Sequence, residues 1–145
     1  MTAMLIAELL RAKGSDVVTV RPDTTVAELL TLLARHNIGA VVVLEGGRIA
    51  GIASERDVVR RLERHGAELL ERPVREIMTT NVITCKTSDT DDALTVLMTE
   101  NRVRHVPVLS AGELIGIVSI GDVVKSRIRQ LELDRQQLEA YITQG

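Results

Sequence analysis

Apolar positions along the chain fall into two kinds of block. Val26, Leu29, Leu30 and Leu33 keep the i, i+3, i+4, i+7 spacing of a helix with one buried stripe, and Leu94, Leu97 and Met98 make a second such stripe. Between the stripes lie short continuous runs rich in β-branched residues. AVVVL and RIAGIAS form one pair, and VPVL and ELIGIVS another, the pattern of strands in a core. Gly46-Gly47 splits the first pair and Ala111-Gly112 the second, as two-residue hairpin turns require. VVTV and VITC, each followed by polar turn residues, read as short opening strands, and a helix is predicted to start after Ser54 and again after Ser119. Each half therefore predicts β-α-β-β-α. The connector RRLERHGAELLERPVREIMTTN is charged and helical in propensity, with a break at Pro73.

The two halves are copies. Displaced by 65 positions, residues 16–60 fall on residues 81–125 without a gap. Identities include Val17/Val82, Thr19/Thr84, Leu29/Leu94, Gly47/Gly112, Gly51/Gly116, Ser54/Ser119 and the Asp-Val-Val that closes each copy. Chance likeness between apolar strands would not also keep glycine, serine and aspartate in register, so the chain contains a duplication. A unit of roughly 55–60 residues buries too little core alone. The predicted fold class is α/β, with two tandem β-α-β-β-α repeats packed as one pseudo-symmetric module. Residues 1–70 carry an N-terminal helix and the first repeat, and 71–145 the second repeat and a C-terminal helix. Leu5, Ile6, Leu9 and Leu10 give the first helix an apolar face ending near Gly14, a C-cap residue. Ile128, Leu131, Leu138 and Ile142 do the same for the last. Each end either closes over its own core or offers a surface for self-association.

Composition narrows the function. At 145 residues, 45% hydrophobic and 26% charged, the chain is of ordinary globular type, and its net charge of −2 carries no footprint for nucleic acid. No apolar run reaches membrane-spanning length, and the basic residues follow the first apolar stretch rather than precede it, against a signal peptide. A cytoplasmic protein is expected. The single cysteine, Cys85, excludes an internal disulfide and a multi-thiolate metal site. His36, His65 and His105 lack metal-ligand spacing. No nucleophile arrangement is present, and GGRIAGI has Ile52 where a phosphate-binding loop needs lysine. No catalysis and no metal cofactor are expected. With no Trp or Phe and only Tyr141, any flat ligand must lie between aliphatic side chains.

Candidate chemistry sits in the repeated phrases GIASERD (51–57) and GIVSIGD (116–122). Ser-x-x-Asp ahead of an apolar run is a capping box, which explains Ser54 and Asp57 with no ligand. Repetition supports a second role. A helix start offers free N–H groups to an anion, an aspartate one turn in can accept two vicinal hydroxyls, and Gly51, Ala53 and Gly116 let a flat base approach. Together these describe a site for a nucleoside phosphate.

The tandem copies, each closing in G-h-x-S-x-x-D with h apolar (Ile52, Ile117), resemble a pair of cystathionine-β-synthase (CBS) domains, the Bateman module of short bacterial CBS-pair proteins. RHVPV (104–108) resembles the family's basic-x-Pro-Val strand, and EIMT its lead-in to a repeat. The resemblance covers nearly the whole chain and leaves no room for a fused catalytic domain. It implies a regulatory module binding AMP, ADP, ATP, S-adenosylmethionine or NAD in clefts between the repeats, and assembly as a homodimer. One cleft would use Ile52, Ser54, Arg56 and Asp57 with Thr84, His105, Val106 and Pro107. The other would use Ile117, Ser119 and Asp122 with Thr19, Val41 and Val42. The clefts are expected to differ. Arg56, Lys86, Arg104 and His105 gather near the first, whereas Gly121, Gly39 and Ala40 stand at matching places of the second and leave Arg21 as its clearest cation. The rival reading is a ligand-free dimeric interaction module that regulates a partner.

Overall fold

The computed structural model describes residues 3–14 and 17–144. Asp16, which opens the first copy, and the terminal Gly145 lie outside the described residues. The elements run α1 (Ile6–Lys13), β1 (Thr19–Val20), α2 (Val26–His36), β2 (Ala40–Glu45), β3 (Arg48–Ser54), α3 (Glu55–His65), β4 (Cys85–Lys86), α4 (Asp91–Asn101), β5 (His105–Ser110), β6 (Glu113–Ser119) and α5 (Ile120–Gln144). Each repeat is a three-stranded sheet, ordered β1-β2-β3 and β4-β5-β6, with its first pair parallel and its second a hairpin. The β-α-β-β-α order is thus present in both halves. Helix α2 starts in a full capping box from Thr25 and Glu28, and α4 is capped by Thr90. Both hairpin turns place two residues at positive φ, Gly46 and Gly47 in one and Ala111 and Gly112 in the other, the geometry that matches strand twist. A register shift falls at Val43/Leu44 and again at Val108/Leu109.

The opening strands are shorter than VVTV and VITC, because only Thr19–Val20 and Cys85–Lys86 find a partner on β2 and β5. The connector continues α3 to His65 and then forms two short 3₁₀ turns, Gly66–Glu71 and Val74–Glu76, on either side of Pro73. Gly66 at positive φ ends α3, and Pro73 has no N–H to continue a helix.

Two cores result, and the segments ahead of each repeat cross between them. Val20, Val26, Leu29, Leu33, Val41, Val43, Ala53 and Val58 pack with Leu69, Val74 and Ile77 of the connector. Cys85, Leu94, Met98, Val106, Val108, Val118 and Val123 pack with Ile6, Leu9 and Leu10 of α1. The N-terminal helix therefore closes the second repeat rather than the first. Burial of its three apolar residues is worth about 1.5–3 kcal/mol each, and this is what holds it. By contrast the apolar residues predicted to form the face of the C-terminal helix, all beyond Val123, stay exposed: Ile128, Leu131, Leu138 and Ile142 are each at least half accessible. They do not close over the chain's own core.

Candidate functional site

Both repeated phrases form the same local structure. Ser54 ends β3 and caps α3: its Oγ accepts the Asp57 N–H (3.3 Å), and Asp57 Oδ2 accepts the Ser54 N–H (2.9 Å) and hydroxyl (3.0 Å). Ser119 and Asp122 repeat the reciprocal pair at the start of α5, at 3.2 and 2.8 Å. The capping box is real at both places, and it occupies Oδ2. Among the described residues no hydrogen bond engages Asp57 Oδ1.

Around Asp57 the repeats enclose an open cleft of about 860 Å³. Ile52, Ser54, Arg56 and Asp57 line it from the first repeat, and His105 from the second. Its wall is completed by Val82, Ile83, Asn81 and Thr79 of the lead-in to the second repeat, by Val59 and by Val103. Four arginines reach it, Arg56, Arg60, Arg102 and Arg104, against the carboxylates of Glu55 and Asp57. Arg60 and Arg102 escaped sequence reasoning. Arg60 lies one turn beyond Arg56 on α3, a spacing the sequence offered. Arg102 is the left-handed residue (φ 55°) that ends α4, a position only a structure reveals.

His105 stands where the repeats meet. A Cβ built at Gly39 would come 3.4 Å from its Nε2 and 3.2 Å from Glu55 Oε1, so glycine at 39 leaves room for both groups. Burial, reinforced by the Lys13 ammonium, pushes the His105 imidazole below its ordinary value against the opposing pull of Asp122 and Glu55. It is therefore neutral near pH 7. Val106 and Pro107 follow it on β5 and are buried, Pro107 opposite Ile117 in register. Thr84 is exposed just before β4, and Lys86 is exposed on it; neither lines the cleft.

Asp122 has a different neighbour. Lys13, the last residue of α1, sets its Nζ 2.6 Å from Asp122 Oδ2 and 2.5 Å from the Ile117 carbonyl. Burial works against the charged Asp122, but the bond from Lys13, aided by the Ser119 amide, outweighs it and holds the carboxyl below its ordinary value. Thr19 and Arg21 lie elsewhere, lining a shallow depression of about 440 Å³ with Thr24, Glu28, Thr31 and Leu32. Arg21 pairs loosely with Asp23 at 3.9 Å. Val41 and Val42 are buried in β2, facing Ala53 and Ile52. The cation at Asp122 is thus Lys13. Spacing could not disclose it, since 109 residues separate the pair.

Among the described residues no cluster of His, Cys, Asp or Glu could hold a metal ion, and no helix is long and apolar enough to cross a membrane. Cys85 is buried, and burial, with Asp89 nearby, raises its thiol to about 11.

The profile of the CBS domain matches residues 8–64 and 74–129. The CBS domain-containing protein CBSX3, mitochondrial, of Arabidopsis thaliana is 35% identical over 149 residues, covering 97% of this chain and 72% of that protein. The crystal structure of the CBS-domain containing protein ATU1752 from Agrobacterium tumefaciens superposes with a TM-score of 0.83 at 47% identity, over 86% of this chain and 99% of that one. The CBS domain pair of protein MJ0100, crystallised with 5′-methylthioadenosine and S-adenosyl-L-methionine, shares the fold with a TM-score of 0.79 at 23% identity, over 89% and 99% of the two chains. With a matched profile over each repeat and the same β-α-β-β-α architecture, the chain belongs to the CBS domain family as a tandem pair.

Proposed function

We propose that this protein is a non-catalytic regulatory module that binds an adenosyl ligand of the AMP, ADP, ATP or NAD type in the cleft between its repeats. One observation carries the reading: the 860 Å³ cleft brings the Asp57 carboxylate, at a helix N-terminus, together with four arginines. That volume lies within the 300–1,000 Å³ usual for small-ligand sites. Asp57 Oδ1 would accept the ribose hydroxyls, Ile52, Val82 and Ile83 would sandwich the base, and the arginines would meet phosphate. The adenosyl ligands named for MJ0100 support the ligand class. The proposed binding set keeps Ser54, Arg56, Asp57, His105 and Ile52 and adds Arg60, Arg102 and Arg104.

Calorimetry with AMP, ATP and NAD tests the reading. Replacing Asp57 with alanine should abolish detectable binding, since it removes a charged hydrogen bond worth about 1.5–3 kcal/mol. A folded Asp57→Ala variant that binds all three as tightly as the parent would overturn it.

The same module is proposed to form a homodimer in the cytoplasm. Val59 and Leu62 on α3, and Val124, Ile128 and Leu131 on α5, are exposed apolar residues on helices that follow Asp57 and Asp122 and need cover. Light scattering across a dilution series should report twice 15.9 kDa. A monomer at micromolar concentration would remove this part.

A further inference from the structure

We infer that Lys13 closes the second of the two equivalent clefts, so that each chain takes one adenosyl ligand, beside Asp57, and none beside Asp122. The inference rests on the function proposed above. Ile52 and Ile117 hold the same place in their hairpins, opposite Val42 and Pro107. In the first repeat Ile52 exchanges backbone hydrogen bonds with Thr79, at 3.0 and 2.8 Å, so the lead-in there runs as extended chain. Residue 14 corresponds to residue 79, and its N–H is already used inside α1, 2.8 Å from the Leu10 carbonyl. The Ile117 carbonyl takes the Lys13 ammonium instead, and that ammonium also holds Asp122. Met78 stands at the corresponding place of the first repeat. It is uncharged and lies against Gly51.

The difference between the clefts is therefore a difference between lead-ins. A helical one delivers a cation onto the carboxylate that the extended one leaves open. Sugar hydroxyls approaching Asp122 would have to displace an ion pair, charged on both sides, with hydrogen bonds in which only the carboxylate is charged. Helix α1 stays docked without the ammonium, because Ile6, Leu9 and Leu10 are buried.

Titration with AMP, ATP and NAD, followed by calorimetry, tests this on the parent and on Lys13→Ala and Lys13→Met. Methionine keeps an unbranched stem on the helix, so it reports even where alanine loosens α1. One ligand per chain is expected for the parent and two for either variant. Asp57→Ala should bind none, and Asp57→Ala combined with Lys13→Met should regain one, lost again on adding Asp122→Ala. Two ligands on the parent, or one on both Lys13 variants, would overturn the closure while leaving the proposed function standing. A Lys13 variant that binds fewer than the parent would make the ammonium a ligand contact and overturn it too. A parent that binds none of AMP, ATP and NAD overturns both.

Discussion

Gly51 and Gly116 occupy matching places yet should differ in what they tolerate. A Cβ at Gly51 would come 2.7 Å from the Thr79 carbonyl oxygen, a backbone atom, whereas at Gly116 it would meet Leu10 Cδ2 at 2.7 Å, the end of a side chain. Gly51→Ala should thus cost about 1–3 kcal/mol as overpacking, and Gly116→Ala less, measured by urea unfolding. Arg102 makes the opposite case. Its φ of 55° disfavours any side chain, yet the residue lines the cleft. Arg102→Gly should raise stability by up to about 1 kcal/mol while weakening AMP binding in calorimetry. At His105 the folded state resists a proton that the unfolded chain accepts, because burial lowers its pKa. The unfolded state then binds more protons, so this residue's contribution to stability is intact above the ordinary histidine range. It is lost as pH falls toward the lowered folded value. Unfolding curves at about pH 7.5 and about pH 5 should lie closer together for His105→Gln than for the parent.

Elements are tied to one another by few polar anchors, of which Asp91 is the most buried. At 4% exposure it accepts the Met4 N–H at 3.0 Å and the Asp92 N–H at 2.9 Å, and lies 3.9 Å from Arg127 of α5. Asp91→Ala leaves these donors short of an acceptor. It should cost about 1–3 kcal/mol and speed hydrogen exchange at the start of α1. The sequence made most elements legible but not their tie points. Val26, Leu29 and Leu33 announced α2 because one helix face meets one core, and Gly46-Gly47 announced a hairpin because few residues accept positive φ. Ser54 and Asp57 were readable both as a cap and as a ligand group, and the fold uses them as a cap while leaving Oδ1 open. Asp91 and Lys13 were opaque for a common reason. Their partners lie across the fold from them, and periodicity reports only on neighbours one or two turns away. The connector is helical and broken at Pro73 as its composition indicated, but beyond Gly66 its turns are 3₁₀, a detail that propensity does not resolve.

At the scale of the molecule the arginine-lined cleft should make nucleotide affinity fall as salt rises; calorimetry with ATP at about 0.05 and about 0.5 M salt checks it, and an unchanged affinity would argue against phosphate recognition there. The crossed lead-ins also make the repeats interdependent. A chain cut after residue 70 leaves Val74 and Ile77 out of the first core and Ile6, Leu9 and Leu10 out of the second. Neither fragment should give a cooperative melt by circular dichroism alone, and mixing them should restore one. A further consequence concerns the order of manufacture. The first core is complete once Ile77 has been made, but α1 must wait for partners as distant as Val123. At about 5–20 residues per second, α1 spends several seconds with its apolar face uncovered while residues up to Val123 are made, and it finds its seat after the first core has closed.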